Sequence, residues 1–457
     1  MNDLFAAARG LVEGAEYRRV TGRVAKVSGL TVEADGLPVP TGSLCEIACG
    51  RAEPIAAQIV GVHGETAILL PLREPLGIRV GDRVTSAPGL QHVPVGRGML
   101  GTILNGLGGP IGGRADYAVE GQYRVYRPAP PALSREPIRV ALATGIRSID
   151  AMHTLGGGQR MGVFAGTGVG KSVLMGMIAR QSEADVTVVA LIGERGREVG
   201  DFLRKDLGDK GMERCVMVLS TSDESPVLRV RAGFVATAVA EYFRDLGNDV
   251  LLMMDSVTRL AMAQREIGLS AGEPPSTRGY PPSVFAMLPR LLERSGRTSR
   301  GSITGLYTVL VEGDDINEPV SDALRGILDG HVWLARDLAN RGHFPAVSVT
   351  ESISRVMPDV VDEEHVRSAV QVRGVLAVWD DIADLVNVGA YASGANVDYD
   401  VAVQMKPRID EFLRQAIDER ASFDETRARL VRLNSEILEL RARLSSGADA
   451  DAVGTAS

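Results

Sequence analysis

The chain has 457 residues, 45% of them hydrophobic and 24% charged, with a formal net charge of −8. That length calls for about two to four domains, each with its own core. The acidic balance argues against a protein that coats nucleic acid, and no run approaches the ~20 apolar residues of a membrane span.

Residues 1–18 repeat Leu4, Ala8, Leu11, Val12 and Ala15 at helical spacing, which predicts a short amphipathic helix. It either packs on its own domain or docks a partner. Its acidic groups and lack of a sustained apolar stretch are not the pattern of a signal peptide. Residues 19–90 change character: short β-branched runs at 20–27, 30–33, 45–48, 55–62, 66–70 and 83–86 alternate with Gly, Pro and Asp turns. Regular short strands of this kind predict a small closed barrel, read as an assembly module. Cys45 and Cys49 fall here, but no second pair or histidine cluster joins them. With Cys215 they form no disulfide framework, so structural cysteines in a reducing, cytoplasmic setting are expected.

Residues 91–130 read as a glycine- and proline-rich connector leading into a domain that ends near 365. Apolar strands at 161–165, 186–192, 215–220, 250–254, 306–311 and 332–334 alternate with helical stretches. That is the α/β pattern of a largely parallel sheet covered on both faces. From 366 to 445 the chain reads helical. Leu430, Leu433, Ile437, Leu440 and Leu444 form a seam that packs on a neighbouring helix, in cis or in trans. Residues 446–457 read as a disordered tail.

The strongest signal lies between the 161–165 strand and the apolar periodic run Val173, Leu174, Met177 and Ile178. Gly166, Thr167, Gly168, Val169, Gly170, Lys171 and Ser172 have the order of a phosphate-binding loop, with Ala165 where the strict pattern has glycine. Glycines let backbone N–H groups turn toward oxyanions, and the following helix N-terminus adds positive potential. Lys171 would supply a compact charge to the outer phosphates and Ser172 a hydroxyl ligand to magnesium. Only five lysines stand among the 50 basic residues. A chain that writes arginine almost everywhere keeps lysine where a guanidinium fork would not suit.

Three further groups follow. Glu194 ends the second strand of the domain, facing the ligand crevice of such a sheet, where it could polarise a water. Asp255 follows four apolar residues at 251–254, the shape of a strand whose terminal carboxylate supports magnesium; Ser256, Thr258 and Arg259 could assist. Arg355, within Ser352-Ile353-Ser354-Arg355-Val356, is expected beyond the main sheet, outside any site of its own subunit. An arginine there could complete a neighbour's site.

Taken together, the loop, Gly-Glu-Arg-Gly-Arg-Glu-Val at 193–199, Leu-Leu-Met-Met-Asp-Ser-Val-Thr-Arg at 251–259 and Ser-Ile-Ser-Arg-Val-Met at 352–357 resemble the catalytic subunits of rotary ATP synthases. The resemblance is nearer to the ATPases of type III protein export. It spans roughly residues 20–440; Asn317-Glu318-Pro319 with Arg325-Gly326-Ile327-Leu328-Asp329-Gly330-His331 points to the export branch, and within it Val-Gly-Lys-Ser-Val-Leu at 169–174 and Arg-Gly-His-Phe-Pro-Ala-Val at 341–347 look flagellar rather than injectisome. It implies a central P-loop (RecA-like) ATPase domain, an N-terminal β-barrel and a C-terminal helical domain, assembled as a homohexamer with ATP and Mg2+ between neighbours. By position it implies that 166–173, through Val173, hold the phosphates and that Ser172 and Asp255 serve the metal. Glu194 would prepare the water, Arg195 help on the phosphate side, and Arg355 act as a finger. Phe344 and Tyr391 would flank the adenine. Glutamate rather than glutamine at 194 implies hydrolysis.

The resemblance also implies partners: a stator-like regulator on the 1–18 helix, a coiled-coil stalk protein in the pore, export-gate membrane proteins, and chaperones with their substrates. The place would be cytoplasmic, peripheral at the inner membrane, with 268–282 facing the pore or gate. Competing readings are a proton-coupled rotary subunit, an RNA-translocating hexameric helicase and a purely structural ring. A helicase calls for a basic or aromatic platform in the barrel. Residues 19–90 hold no Phe, Tyr or Trp and one lysine, so no nucleic acid partner is expected. The set Lys171, Glu194, Asp255 and Arg355 opposes the structural ring.

Overall fold

The computed structural model describes residues 19–454 except 51, 88–90, 114–115, 312, 314 and 316. The helix expected over 1–18 lies outside the described residues.

Six strands, β1 (Thr21–Ser28), β2 (Thr31–Asp35), β3 (Leu44–Cys49), β4 (Ala52–His63), β5 (Thr66–Pro71) and β6 (Arg83–Ser86), close into a barrel in the order β1-β2-β5-β4-β3-β6. Closure leaves no unpaired edge. Alternate residues point inward: Val32, Ile47, Ile59, Leu69 and Val84 form its core together with Cys45.

The segment expected as a connector is structured. β7 (His92–Val95) pairs with β10 (Gly121–Arg124), while β8 (Thr102–Asn105) and β9 (Pro110–Gly113) extend the central sheet. Runs this short, rich in glycine and proline, give no local strand signal; their pairing is tertiary. Ile103 and Leu104 lie in parallel register with Met217 and Val218. Arg294, buried with Glu241 at 2.8 Å, donates a further hydrogen bond to the Val125 carbonyl, fastening the segment's end to the domain.

Two short strands, β11 (Ala141–Leu142) and β12 (Leu155–Gly156), pair with each other before the central sheet begins. That sheet comprises β13 (Arg160–Ala165), β14 (Val186–Glu194), β15 (Cys215–Thr221), β16 (Asp249–Asp255), β17 (Gly296–Arg297), β18 (Ser302–Leu310), β19 (Gly330–Leu334) and β20 (Val347–Ser354), together with β8 and β9. The order is β20-β19-β13-β18-β16-β14-β15-β8-β9, with β17 on β18. Every pairing from β19 to β8 along this path is parallel; β20, β9 and β17 run antiparallel.

All nine residues of β14 are buried, as expected of a strand covered on both faces. Val188 and Ala190 meet the helices Pro226–Asp245 and Val257–Ser270 on one side. Val189 and Leu191 meet the helix Lys171–Gln181 on the other. The parallel strands therefore end together, and Ala165, Glu194 and Asp255 share one rim.

The C-terminal helices Glu363–Asn387, Val397–Leu413 and Phe423–Gly454 pack around Val372, Leu376, Met405 and Ile409. Leu430, Leu433, Ile437 and Leu440 join that core, so the leucine seam is used in cis. The last helix continues to Gly454, through most of the stretch whose composition reads as a disordered tail.

Candidate active site

β13 stops at Ala165 and a helix begins at Lys171, with the glycine loop between them. Gly170 caps this helix at φ 90°, ψ 17°, a left-handed conformation open to glycine at little cost. A Cβ there would also meet the Phe344 ring at 3.5 Å. Thr167, Gly168 and Ser172 are exposed, whereas Val169 is buried and anchors the loop in the core beneath.

Lys171 turns from the first helical residue onto the rim. Its Nζ bonds Asp255 Oδ1 and lies 4.0 Å from Glu194 Oε1. The neighbouring strand β18 contributes Thr308, whose hydroxyl donates to Asp255 Oδ1 at 2.6 Å. Arg259 approaches from the helix after β16. Its guanidinium is 3.2 Å from Glu194 Oε2 and donates to the Gly193 carbonyl. Ser256 caps that helix, its hydroxyl accepting from the Arg259 N–H. Two acids and two bases are thus compressed at one rim of the sheet, all drawn from separate elements.

Burial pushes the Glu194 carboxyl up to about 7, the Asp255 charge adding to it, while Lys171 and Arg259 act in the opposite sense. Glu194 Oε1 is buried without a hydrogen-bond partner in the chain. A buried acceptor left open asks for a donor from outside the fold. The Ser172 hydroxyl and the Asp255 carboxylate are hard oxygen ligands of the kind magnesium takes, the remaining positions going to water and phosphate. Among the described residues no group of three or more His, Cys, Asp or Glu forms a cage for a metal. One or two carboxylates are what a magnesium–phosphate site requires.

A cleft of about 450 Å³ opens beside the loop, lined among others by Ala165, Gly193, Arg229, Arg259 and Arg336. Arg336 donates to the Thr167 carbonyl at 3.1 Å, and Arg229 pairs with Glu266 at 2.7 Å. Neither carries a local sequence signal; each arrives through the sheet from a distant segment. Thr308 escapes sequence reading for the same reason.

Phe344 stands against the loop with its side chain half exposed, and its carbonyl accepts from Gln415 N–H at 3.0 Å. Tyr391 is engaged elsewhere: its hydroxyl donates to Asp400 at 2.9 Å and its ring lies 5.9 Å from Tyr399. The C-terminal segment in hydrogen-bond contact with Phe344 is the one around Gln415. Arg195 is largely exposed and 3.6 Å from Glu198, outside the Lys171 cluster.

Ser352–Ser354 lie inside the main sheet, contrary to the sequence expectation, because the antiparallel pairing of β20 with β19 adds an edge strand that local pattern does not announce. Arg355 follows at the far end. Its N–H donates to the Asp329 carbonyl at 3.1 Å, and Asp329 N–H donates to Arg160, the first residue of β13. The five steps along β13 from Arg160 to the loop amount to about 17 Å of strand. Arg355 is exposed and, among the described residues, makes no ion pair.

Residues 145–354 match the ATP synthase alpha/beta family, nucleotide-binding domain, and residues 24–87 match the beta-barrel domain of that family. Residues 361–432 match the T3SS EscN ATPase C-terminal domain. The Flagellum-specific ATP synthase of Bacillus subtilis (strain 168) is 48% identical over 419 residues, covering 91% of this chain and 95% of that protein. The Type 3 secretion system ATPase of Xanthomonas euvesicatoria is 45% identical over 406 residues, covering 89% and 92%. The assembled ATPase EscN from the enteropathogenic E. coli type III secretion system superposes with a TM-score of 0.85 at 39% identity, over 90% of this chain and 100% of that one. EscN has also been solved in complex with its central stalk EscO, at a TM-score of 0.83 and 38% identity over 90% of this chain and 100% of that one.

Proposed function

This chain belongs to the ATP synthase alpha/beta family, in the branch of the flagellar and type III secretion ATPases, and from that premise we propose that it hydrolyses ATP as a homohexameric ring that energises flagellar protein export. The observation that carries the reading is the cluster behind the phosphate loop: Lys171 on Asp255, Arg259 on Glu194, and an open acceptor at Glu194 Oε1.

In this reading the N–H groups of 166–173 cradle the phosphates, and Lys171 moves from Asp255 to the outer phosphates when nucleotide enters. Ser172 and Asp255 would hold Mg2+, which would supply positive charge to the phosphates. Thr308 and Arg259 fix the two carboxylates. Glu194 orients the attacking water and accepts its proton, a task suited to a carboxyl poised near neutrality. Phe344 stacks on the adenine. Arg195, one residue beyond Glu194, reaches the phosphate side. Arg355 stands at the opposite end of the sheet and serves the next subunit's nucleotide.

The flagellar assignment rests on the runs at 169–174 and 341–347, and relatives with flagellar names at 48% and 47% identity are compatible with it. The EscN–EscO complex supports a stalk protein as partner here. A stator-like regulator at 1–18, the export gate and chaperone-bound substrates complete the proposed partners, at the cytoplasmic face of the inner membrane. No described helix is long and apolar enough to cross a membrane.

Glu194→Gln tests the assignment. It should still bind MgATP, measured with a fluorescent nucleotide, while turnover falls by at least about 100-fold. Turnover near that of the unaltered chain would remove Glu194 from the chemistry.

A further inference from the structure

An arginine that acts in a neighbour's site is useful only if its own subunit holds it in place. β20 is an edge strand, so the backbone leading to Arg355 is paired on one side only, by Ser354 with Gly330 and Ile353 with His331. The two chains approach closely there: a Cβ on Gly330 would collide with the Ile353 carbonyl. The last anchor before the finger is the Asp329 carbonyl, which accepts the Arg355 N–H at 3.1 Å.

Asp329 is itself gripped. Arg160 reaches its carboxylate three times, from the backbone N–H at 2.9 Å, from Nε at 3.1 Å and from a terminal guanidinium nitrogen at 2.9 Å. The Asp329 N–H returns a bond to the Arg160 carbonyl at 2.9 Å. Glu293 holds the other arm of Arg160 and pairs with Arg135 at 2.9 Å, so the fork cannot swing. A two-pronged arginine–carboxylate pair of this kind fixes orientation as well as distance. The Arg160 side chain is 16% exposed and that of Asp329 25%, so water screens the pair only in part.

We propose that Asp329 is the positioning residue for Arg355: its carboxylate, locked in the Arg160 fork, fixes the carbonyl that holds the Arg355 backbone and so sets where the finger stands in the adjoining subunit. Because Arg160 opens the strand that ends in the phosphate loop, the finger is tied to the root of the element carrying its own subunit's nucleotide. The inference rests on the reading of Arg355 as a residue acting in trans.

Asp329→Asn keeps the shape, removes the charge and turns an N–H₂ toward the guanidinium. Misplacing a group by about 1 Å can cost as much as 100-fold in rate, so single-turnover hydrolysis by the assembled full chain should fall about 10- to 100-fold. The MgATP dissociation constant should stay unchanged. In an Arg355→Ala background the same substitution should have no further effect, because its influence passes through Arg355. Arg160→Lys, which keeps the charge but not the fork, should repeat the pattern and stands in if Asp329→Asn does not fold. Unchanged hydrolysis, weakened nucleotide binding, or an undiminished loss on top of Arg355→Ala would each overturn the assignment. Normal turnover in Arg355→Ala alone would overturn the trans reading and this inference with it, a failure seen with Asp329 intact.

Discussion

The two ends of the central sheet are built on opposite electrostatic plans. At the rim beside the glycine loop the charges are answered within the chain: Lys171 by Asp255, Arg259 by Glu194, Arg229 by Glu266. At the other end Arg160 and Asp329 satisfy each other, but Arg355 beside them is exposed and makes no ion pair among the described residues. In the proposed reading the rim cations are held in reserve until phosphate arrives, and the far-end cation serves the adjoining subunit. One β-strand separates the two ends, so in that reading the finger of one subunit serves the loop of another.

The sharpest way to break this contrast is to remove the far-end cation. Arg355→Ala should lower turnover by about 10³- to 10⁵-fold, the range for arginine fingers, while nucleotide binding persists; steady-state rates and equilibrium binding measured together decide it. Lys171→Ala attacks the rim instead. It should cost about 10²- to 10³-fold in kcat/KM, as for loss of one preorganised charge partner, and should weaken binding as well. Intact nucleotide affinity in that variant would make the two ends equivalent and end the comparison.

Acidity should act on the rim rather than on Arg355. Burial raises the Glu194 carboxyl to about 7, and the carboxylate is the working form. Turnover is therefore retained above that value and lost as pH falls through it. Because kcat/KM reports the free enzyme, its profile should bend near neutrality; a flat profile between about pH 6 and 8 would speak against Glu194 as the group titrating. The smallest effect belongs to Phe344→Ala. Loss of the ring beside Gly170 should weaken nucleotide binding by about 1 kcal/mol, roughly fivefold, with kcat unchanged.

What sequence could show here follows the range of the interaction. Gly166 to Ser172, Glu194 and Asp255 are legible because a strand, a turn and a helix start lie within a few residues of each. Thr308, Arg229 and Arg336 reach the rim across the sheet from far along the chain, where nothing local marks them. β8 and β20 were hidden for a related reason: a short strand on the flank of a sheet is defined by its partner, and neither Thr102–Asn105 nor Val347–Ser354 announces which strand it will join. Tyr391 is placed beside the adenine by the family resemblance alone; its hydroxyl bonds Asp400, and Gln415 is hydrogen-bonded to Phe344.

The most direct test of a site shared between copies is MgATP hydrolysis per subunit across a dilution series, with mass measured by light scattering in the same samples. Activity confined to the assembled species, with nucleotide still bound by the monomer, is the predicted result. A monomer that hydrolyses ATP at the rate of the assembly would contradict it.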